Sequence, residues 1–93
     1  PQFSQYKQRA YDTDSKTTLH NIYLACKAFW TDNGGSTSCT TSAAAGSDFG
    51  FVASTGAPVS ISNGTETSFA ATAKHTDSAN TFSIDSSGNI NKS

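Results

Sequence analysis

The sequence predicts an α+β domain: one long N-terminal helix packed on a four- to five-stranded antiparallel meander sheet. Three observations predict it. Composition changes near residue 33, because no Gly precedes that point and all seven Gly and Pro58 follow it. Apolar residues before the change recur at helical spacing, and those after it alternate. Turn residues then punctuate the second part at short intervals. The expected division of the single domain 1–93 is a helix over 1–32, a tethered loop over 33–48 and a sheet over 49–93.

The helix rests on a stripe of Tyr11, Thr18, Leu19, Ile22, Cys26 and Phe29. Asp12 and Lys16 form an i,i+4 pair of favourable polarity. From Ile22 to Trp30 the chain is apolar nearly all round, which predicts cover on more than one side. Asp12 to Thr18 is the weak stretch. Its Thr, Asp and Ser side chains compete for backbone hydrogen bonds, which leaves room within the helix for a kink or a second start with Asp14 as N-cap. Asp32-Asn33-Gly34-Gly35 supplies the stop, with a left-handed C-cap.

Residues 34–48 read as a loop of small residues carrying Cys39. Strands are expected over 49–53, 58–62, 67–75 and 81–85, followed by a turn at 86–89 that leads to Ile90. Asn63-Gly64 predicts a type I′ hairpin. Phe69, Ala71 and Ala73 share one strand face.

Length and composition narrow the function classes. With 93 residues, 34% of them hydrophobic, the core is thin and some covalent or intermolecular support is expected. Two cysteines, Cys26 and Cys39, in a chain of which about three in ten residues are Ser or Thr, read as one disulfide formed in an oxidising compartment. A net charge of −1 points to no obligatory nucleic acid or other polyionic partner. No apolar run of about 18 residues is present, so no transmembrane helix is read in these residues. A start at Pro and the absence of Met fit a processed or trimmed chain.

Length sets a geometric problem. A helix from Gln2 to Asp32 is about 45 Å long, whereas a domain of this size is about 30 Å across. Roughly the first ten residues should project, carrying Phe3, Tyr6 and Tyr11. Rings on a projecting helix call for a partner.

Three segments carry a resemblance. "PQFSQYKQRAY" resembles the stretch just after the hydrophobic N-terminal run of type IV pilins. "SKTTLHNIYLACKAFW" resembles the amphipathic half of the same helix, and "FAATAKH…TFSIDSSGNI" resembles the late strands of small pilin heads. The resemblance covers the helix well, the late strands moderately and residues 33–66 hardly at all. It implies an upstream apolar segment, cut by a prepilin peptidase and N-methylated. That segment would anchor the subunit in the inner membrane and then pack in the core of a helical filament of identical copies. It implies an extracellular structural subunit serving adhesion or motility rather than an enzyme. Phe3, Tyr6, Lys7, Arg9 and Tyr11 are the expected subunit-interface residues, and no cofactor or metal is implied. Two other readings share these residues: a pseudopilin of type II secretion, and a secreted adhesion module needing no upstream segment.

Chemistry-bearing residues are sparse. His20 and His75 are the two histidines and Glu66 the sole Glu. Ser, His and Asp occur together by composition alone, so surface roles suit both histidines better than base catalysis. The cysteines lack the close CxxC pairs of zinc sites. Asp77 and Asp85 flank a strand connection and fit solvated turns better than a calcium site. Lys7, Arg9 and Lys16 give the helix a basic side, better explained by solvent or by subunit ion pairs with Asp12 and Asp14 than by nucleic acid. Asn63-Gly64-Thr65 and Asn91-Lys92-Ser93 match the glycosylation acceptor pattern, but the first reads better as a turn.

Overall fold

The computed structural model describes residues 2–46, 49–52 and 54–92, with side chains described from Tyr6 onward. Helix α1 spans Gln2–Asn33. A one-turn helix α2 follows at Thr41–Ala44. Four strands come next: β1 (Val59–Asn63), β2 (Ala70–Lys74), β3 (Thr81–Ile84) and β4 (Ile90–Lys92). They form one sheet in the order β1-β2-β3-β4, every neighbouring pair antiparallel. The expected α+β architecture, one helix on an antiparallel meander, is what the molecule has.

The helical period of the sequence becomes the core. Ser15, Thr18, Leu19, Ile22, Ala25, Cys26, Phe29 and Trp30 are buried along one face of α1. Opposite them stand Phe69, Ala71 and Ala73 from β2 and its approach, and Phe82 and Ile84 from β3. The alanines of β2 keep the sheet surface low, so the helix can lie close to it. Phe69 fills the space beside them, with its ring 5.3 Å from Trp30 in an edge-on arrangement and 6.0 Å from Tyr23.

Helix α1 runs as one element through Asp12–Thr18, the stretch read as weak. The two acidic side chains that would compete with its backbone are engaged elsewhere. Asp12 accepts hydrogen bonds from Ser78 Oγ at 2.8 Å and Asn80 Nδ2 at 2.8 Å. Asp14 accepts from Ser54 Oγ at 3.0 Å. Ser15 Oγ donates back to the Tyr11 carbonyl, satisfying itself inside the core. The expected Asp12–Lys16 ion pair is also replaced. Lys16 instead lies over the Phe82 ring at 5.1 Å, and among the described residues the ion pair is Lys27–Glu66. The helix stops where expected: Gly34 takes φ +94° and its N–H donates to the Trp30 carbonyl at 2.7 Å, a left-handed C-cap.

The loop after α1 carries the expected disulfide. Cys26 and Cys39 are bonded, with Cα atoms 5.8 Å apart. The loop is more ordered than the sequence suggested, because Thr40 caps α2 by accepting from the Ala43 N–H at 3.1 Å and Ala44 is buried.

Two strand expectations are corrected. Residues 49–52 are not a strand, and Ala53 lies outside the described residues. Phe51 N–H donates to the Ala44 carbonyl, and Phe49 packs edge-on against Phe29 at 5.6 Å. The segment is therefore used to cover the helix rather than to extend the sheet. Asn63-Gly64 is not a type I′ turn either: neither residue has positive φ, and residues 64–69 connect β1 to β2.

Gly64 serves instead as a close-approach point. Its carbonyl accepts from Cys39 N–H at 2.8 Å and from Trp30 Nε1 at 2.9 Å. A Cβ there would collide with the Cys39 carbonyl oxygen and Ser38 Oγ. Gly64→Ala is expected to destabilise by about 1–3 kcal/mol through overpacking, read as a lower denaturant midpoint at unchanged m-value.

Candidate functional site

The molecule extends 48 × 24 × 15 Å, and its long dimension matches the roughly 48 Å of a helix the length of α1. The sheet does not reach the helix start. Its last grip is the turn between β2 and β3. There Ser78 Oγ, 3% exposed at the residue level, bonds with Gln8 Oε1 at 3.0 Å as well as with Asp12. Gln8 Nε2 donates to the Asp77 carbonyl at 3.5 Å. The projecting part is thus about seven residues, shorter than the ten expected.

The predicted interface residues fall in three places. Tyr6, 67% exposed, and Lys7 lie beyond the Ser78 clamp. Arg9 is exposed beside it. Tyr11 is half-buried and stacks on His75, with centroids 4.1 Å apart and planes 20° off parallel. Tyr11 is therefore committed within the domain. The side chain of Phe3 lies outside the described ones.

Helix geometry organises what remains exposed. At 3.6 residues per turn, the face opposite the core carries Tyr6, Ala10, Thr13, Thr17, Leu24 and Ala28, all exposed and all uncharged. Charges are confined to the flanks of this face. Arg9, Lys16 and Lys27 lie on one side, with His20 among them, while Asp14 and Asp32 lie on the other with Lys7. A solvated helix normally scatters charge over its outer face, whereas here about six turns of α1, from Tyr6 to Ala28, show an uncharged stripe between a basic and an acidic border.

Lys27 is the most engaged of these cations. Its Nζ sits 5.4 Å above the Tyr23 ring, 6.0 Å from Trp30 and 3.5 Å from Glu66 Oε2. The Tyr23 phenol, then the Glu66 carboxylate, hold its ammonium above the ordinary lysine value. The stability linked to this raised value is fully present below the ordinary lysine pKa, and it is lost only as alkaline pH rises through the folded-state value. The Lys27–Glu66 pair is half exposed and ties residues 64–69 to the helix modestly.

Two open grooves flank this architecture, each of about 360 Å³. One runs between the disulfide loop and β1 and is lined by Ser38, Thr40, Thr41, Ser60 and Ser62 together with Val59 and Ile61. The other lies between α1 and the 49–52 segment. Asn21, Leu24, Ala25, Phe49, Gly50 and Val52 line it. Leu24 is 52% exposed and Val52 81%. The expectation that Ile22–Trp30 would be covered on more than one side holds, with Leu24 left outside that cover. The sheet covers one side and α2 another, while Leu24 faces out.

Other singled-out residues serve the fold. Asp14, Ser54 and His75 meet in one corner, but the Ser54 hydroxyl donates to the Asp14 carboxylate and His75 Nδ1 accepts the Asp77 N–H at 3.0 Å. Asp85 Oδ1 accepts the N–H groups of Ser87 and Asn89, building the turn into β4. Asn63 Oδ1 accepts from Thr65 N–H and Oγ1. His20 is exposed on the helix. Among the described residues no three His, Cys, Asp or Glu side chains converge as a metal site would need, and no helix is long and apolar enough to cross a membrane.

Sequence reasoning found the projecting Tyr6 but missed the groove at Leu24 and Val52. Leu24 was legible, since it lies five helical turns from Tyr6 on the same face. Val52 was not, because its segment shows no period. No family model, no curated protein and no solved structure matches the chain.

Proposed function

We propose that the chain is the head and lower helix of a structural subunit of a type IV pilus, polymerising through α1 into a cell-surface filament for adhesion or motility. The observation that carries the reading is the uncharged outer face of α1. It runs from Tyr6 to Ala28 with every described side chain exposed, and it points away from the sheet that covers the opposite face of α1. Such a face suits burial against other helices. The resemblance of "PQFSQYKQRAY" and "SKTTLHNIYLACKAFW" to the pilin helix supports the same assignment, with an upstream apolar segment as membrane anchor before assembly. The disulfide between α1 and the loop suits an exported protein. In this reading the subunit's work is assembly, and its binding energy comes from apolar helix surface removed from water.

Thr17→Glu in the full-length protein tests this reading. Position 17 is exposed and mid-stripe, so the subunit should fold with an unchanged melting midpoint. Burying an unpaired carboxylate between helices is costly. Loss of surface filaments with normal subunit levels is the expected result, and normal filament yield would contradict it.

A second reading, a secreted adhesion module, is favoured by the groove whose lining includes Ser38, Thr41 and Ser60. That reading makes no use of the helix face, and Thr17→Glu would leave its ligand binding untouched.

A further inference from the structure

We infer that Tyr6 of one copy seats in the groove between α1 and the 49–52 segment of a second, parallel copy, the two helices back to back and the sheets outward. The inference rests on the filament reading and names the contact that would propagate it.

Among the described residues the large apolar side chains left exposed are Tyr6, Leu24 and Val52. Two of the three line one groove, together with Phe49, Ala25 and Asn21. The third is a lone ring on the projecting end of the helix. Tyr6 cannot fill the groove of its own chain, because the 18 residues to Leu24 correspond to about 27 Å of rise. Those residues are also five whole turns at about 3.6 per turn, so Tyr6 and Leu24, the outermost helical wall of the groove, share one face. A second copy shifted along the helix axis therefore presents its groove to Tyr6. The phenol suits such a seat, since it brings apolar area with a hydroxyl that can stay at the rim, where Asn21 offers a polar partner.

Charge decides between parallel and antiparallel copies. When two helices pack back to back in parallel, the left flank of one meets the right flank of the other. The basic border of Arg9 and Lys16 then meets the acidic border of Asp14 and Asp32. Antiparallel packing about a two-fold axis brings like borders together, which opposes docking. The stagger that seats Tyr6 between Asn21 and Ala25 is about 17 residues, or about 25 Å. It brings Lys16, held on its flank over Phe82, level with the exposed Asp32 of the second copy. Lys7 is the one cation on the acidic border. Knob and groove occupy different places on the chain, so the contact is heterologous and does not close on a pair. Each added copy offers a fresh Tyr6 and a fresh groove.

The test is disulfide trapping in filaments of the full-length protein carrying Tyr6→Cys and Leu24→Cys in one chain. Oxidation should give a ladder of dimers, trimers and larger species under non-reducing conditions, while each single variant runs as monomer. A product that stops at dimer would show a closed antiparallel pair and overturn the inference. Normal filaments with no ladder would overturn it too, and would leave the filament reading standing. If Tyr6→Cys prevents assembly, the charge exchange decides. Lys16→Asp should lose surface filament and Lys16→Asp with Asp32→Lys should regain it; equal filament in both variants would contradict the stated register. Absence of filaments from the unaltered protein would remove the filament reading, and this contact with it.

Discussion

Phe69→Ala is expected to lower the unfolding free energy by about 3–5 kcal/mol. Phe69 is 1% exposed and stands where α1 crosses the approach to β2, against Trp30 and Tyr23. Its flanking strand positions, Ala71 and Ala73, are too small to move in and fill the space. The cavity therefore stays, and the cavity cost adds to the lost transfer energy. For a domain of this size each kcal/mol shifts the midpoint by about 4–8 °C, so the melting temperature should fall by more than about 12 °C. A loss below about 1 kcal/mol would show that the helix and sheet meet somewhere else.

Removing the Cys26–Cys39 bond should have the next largest effect. The two cysteines are separated by 13 positions, and in the chain-entropy model a loop of that size stabilises by about 3 kcal/mol. The double variant Cys26→Ala/Cys39→Ala should therefore melt well below the unaltered protein. Both positions are fully buried, so a small packing loss adds to the entropic one. The loop should still dock partly, through the bonds from Cys39 N–H and Trp30 Nε1 to the Gly64 carbonyl. A reductant should lower the midpoint of the unaltered chain and leave that of the variant unchanged. If the reductant moved both equally, the disulfide would not be the source of the stability.

These two residues also mark what a sequence can reveal. Cys26 and Cys39 were legible as a pair because two is the smallest even number and a thin core calls for a tie. Phe69, Ala71, Phe82 and Ile84 were legible because alternation puts one face of a strand inside. The end of α1 was legible because Gly34 is needed at positive φ. The failures share a cause. Asp12 was paired with Lys16, its neighbour on the helix, but it bonds with Ser78 and Asn80 across 66 and 68 positions. Gly64 was read as a turn former because it follows Asn, whereas its lack of a side chain lets the Cys39 backbone approach. Phe49–Val52 was read as a strand because it is apolar, yet it is used singly, Phe49 on Phe29 and Val52 out to solvent. Local patterns specify local structure, and contacts made across the chain are left for the fold to choose.

The candidate site divides along the same line. The uncharged helix face can be drawn from the sequence by counting turns. Its limits cannot, since the clamp at Gln8 and the stacking of Tyr11 on His75 decide which rings stay free. Tyr6 is left outside by that decision, and Tyr11 is taken in.

The measurement that bears most directly on the filament account is mass spectrometry of the mature N-terminus, on protein sheared from the source cells. The account predicts an N-methylated apolar segment of about 20 residues running directly into Pro1, recovered from filaments. A native N-terminus at Pro1, on a monomer free in the medium, would contradict it.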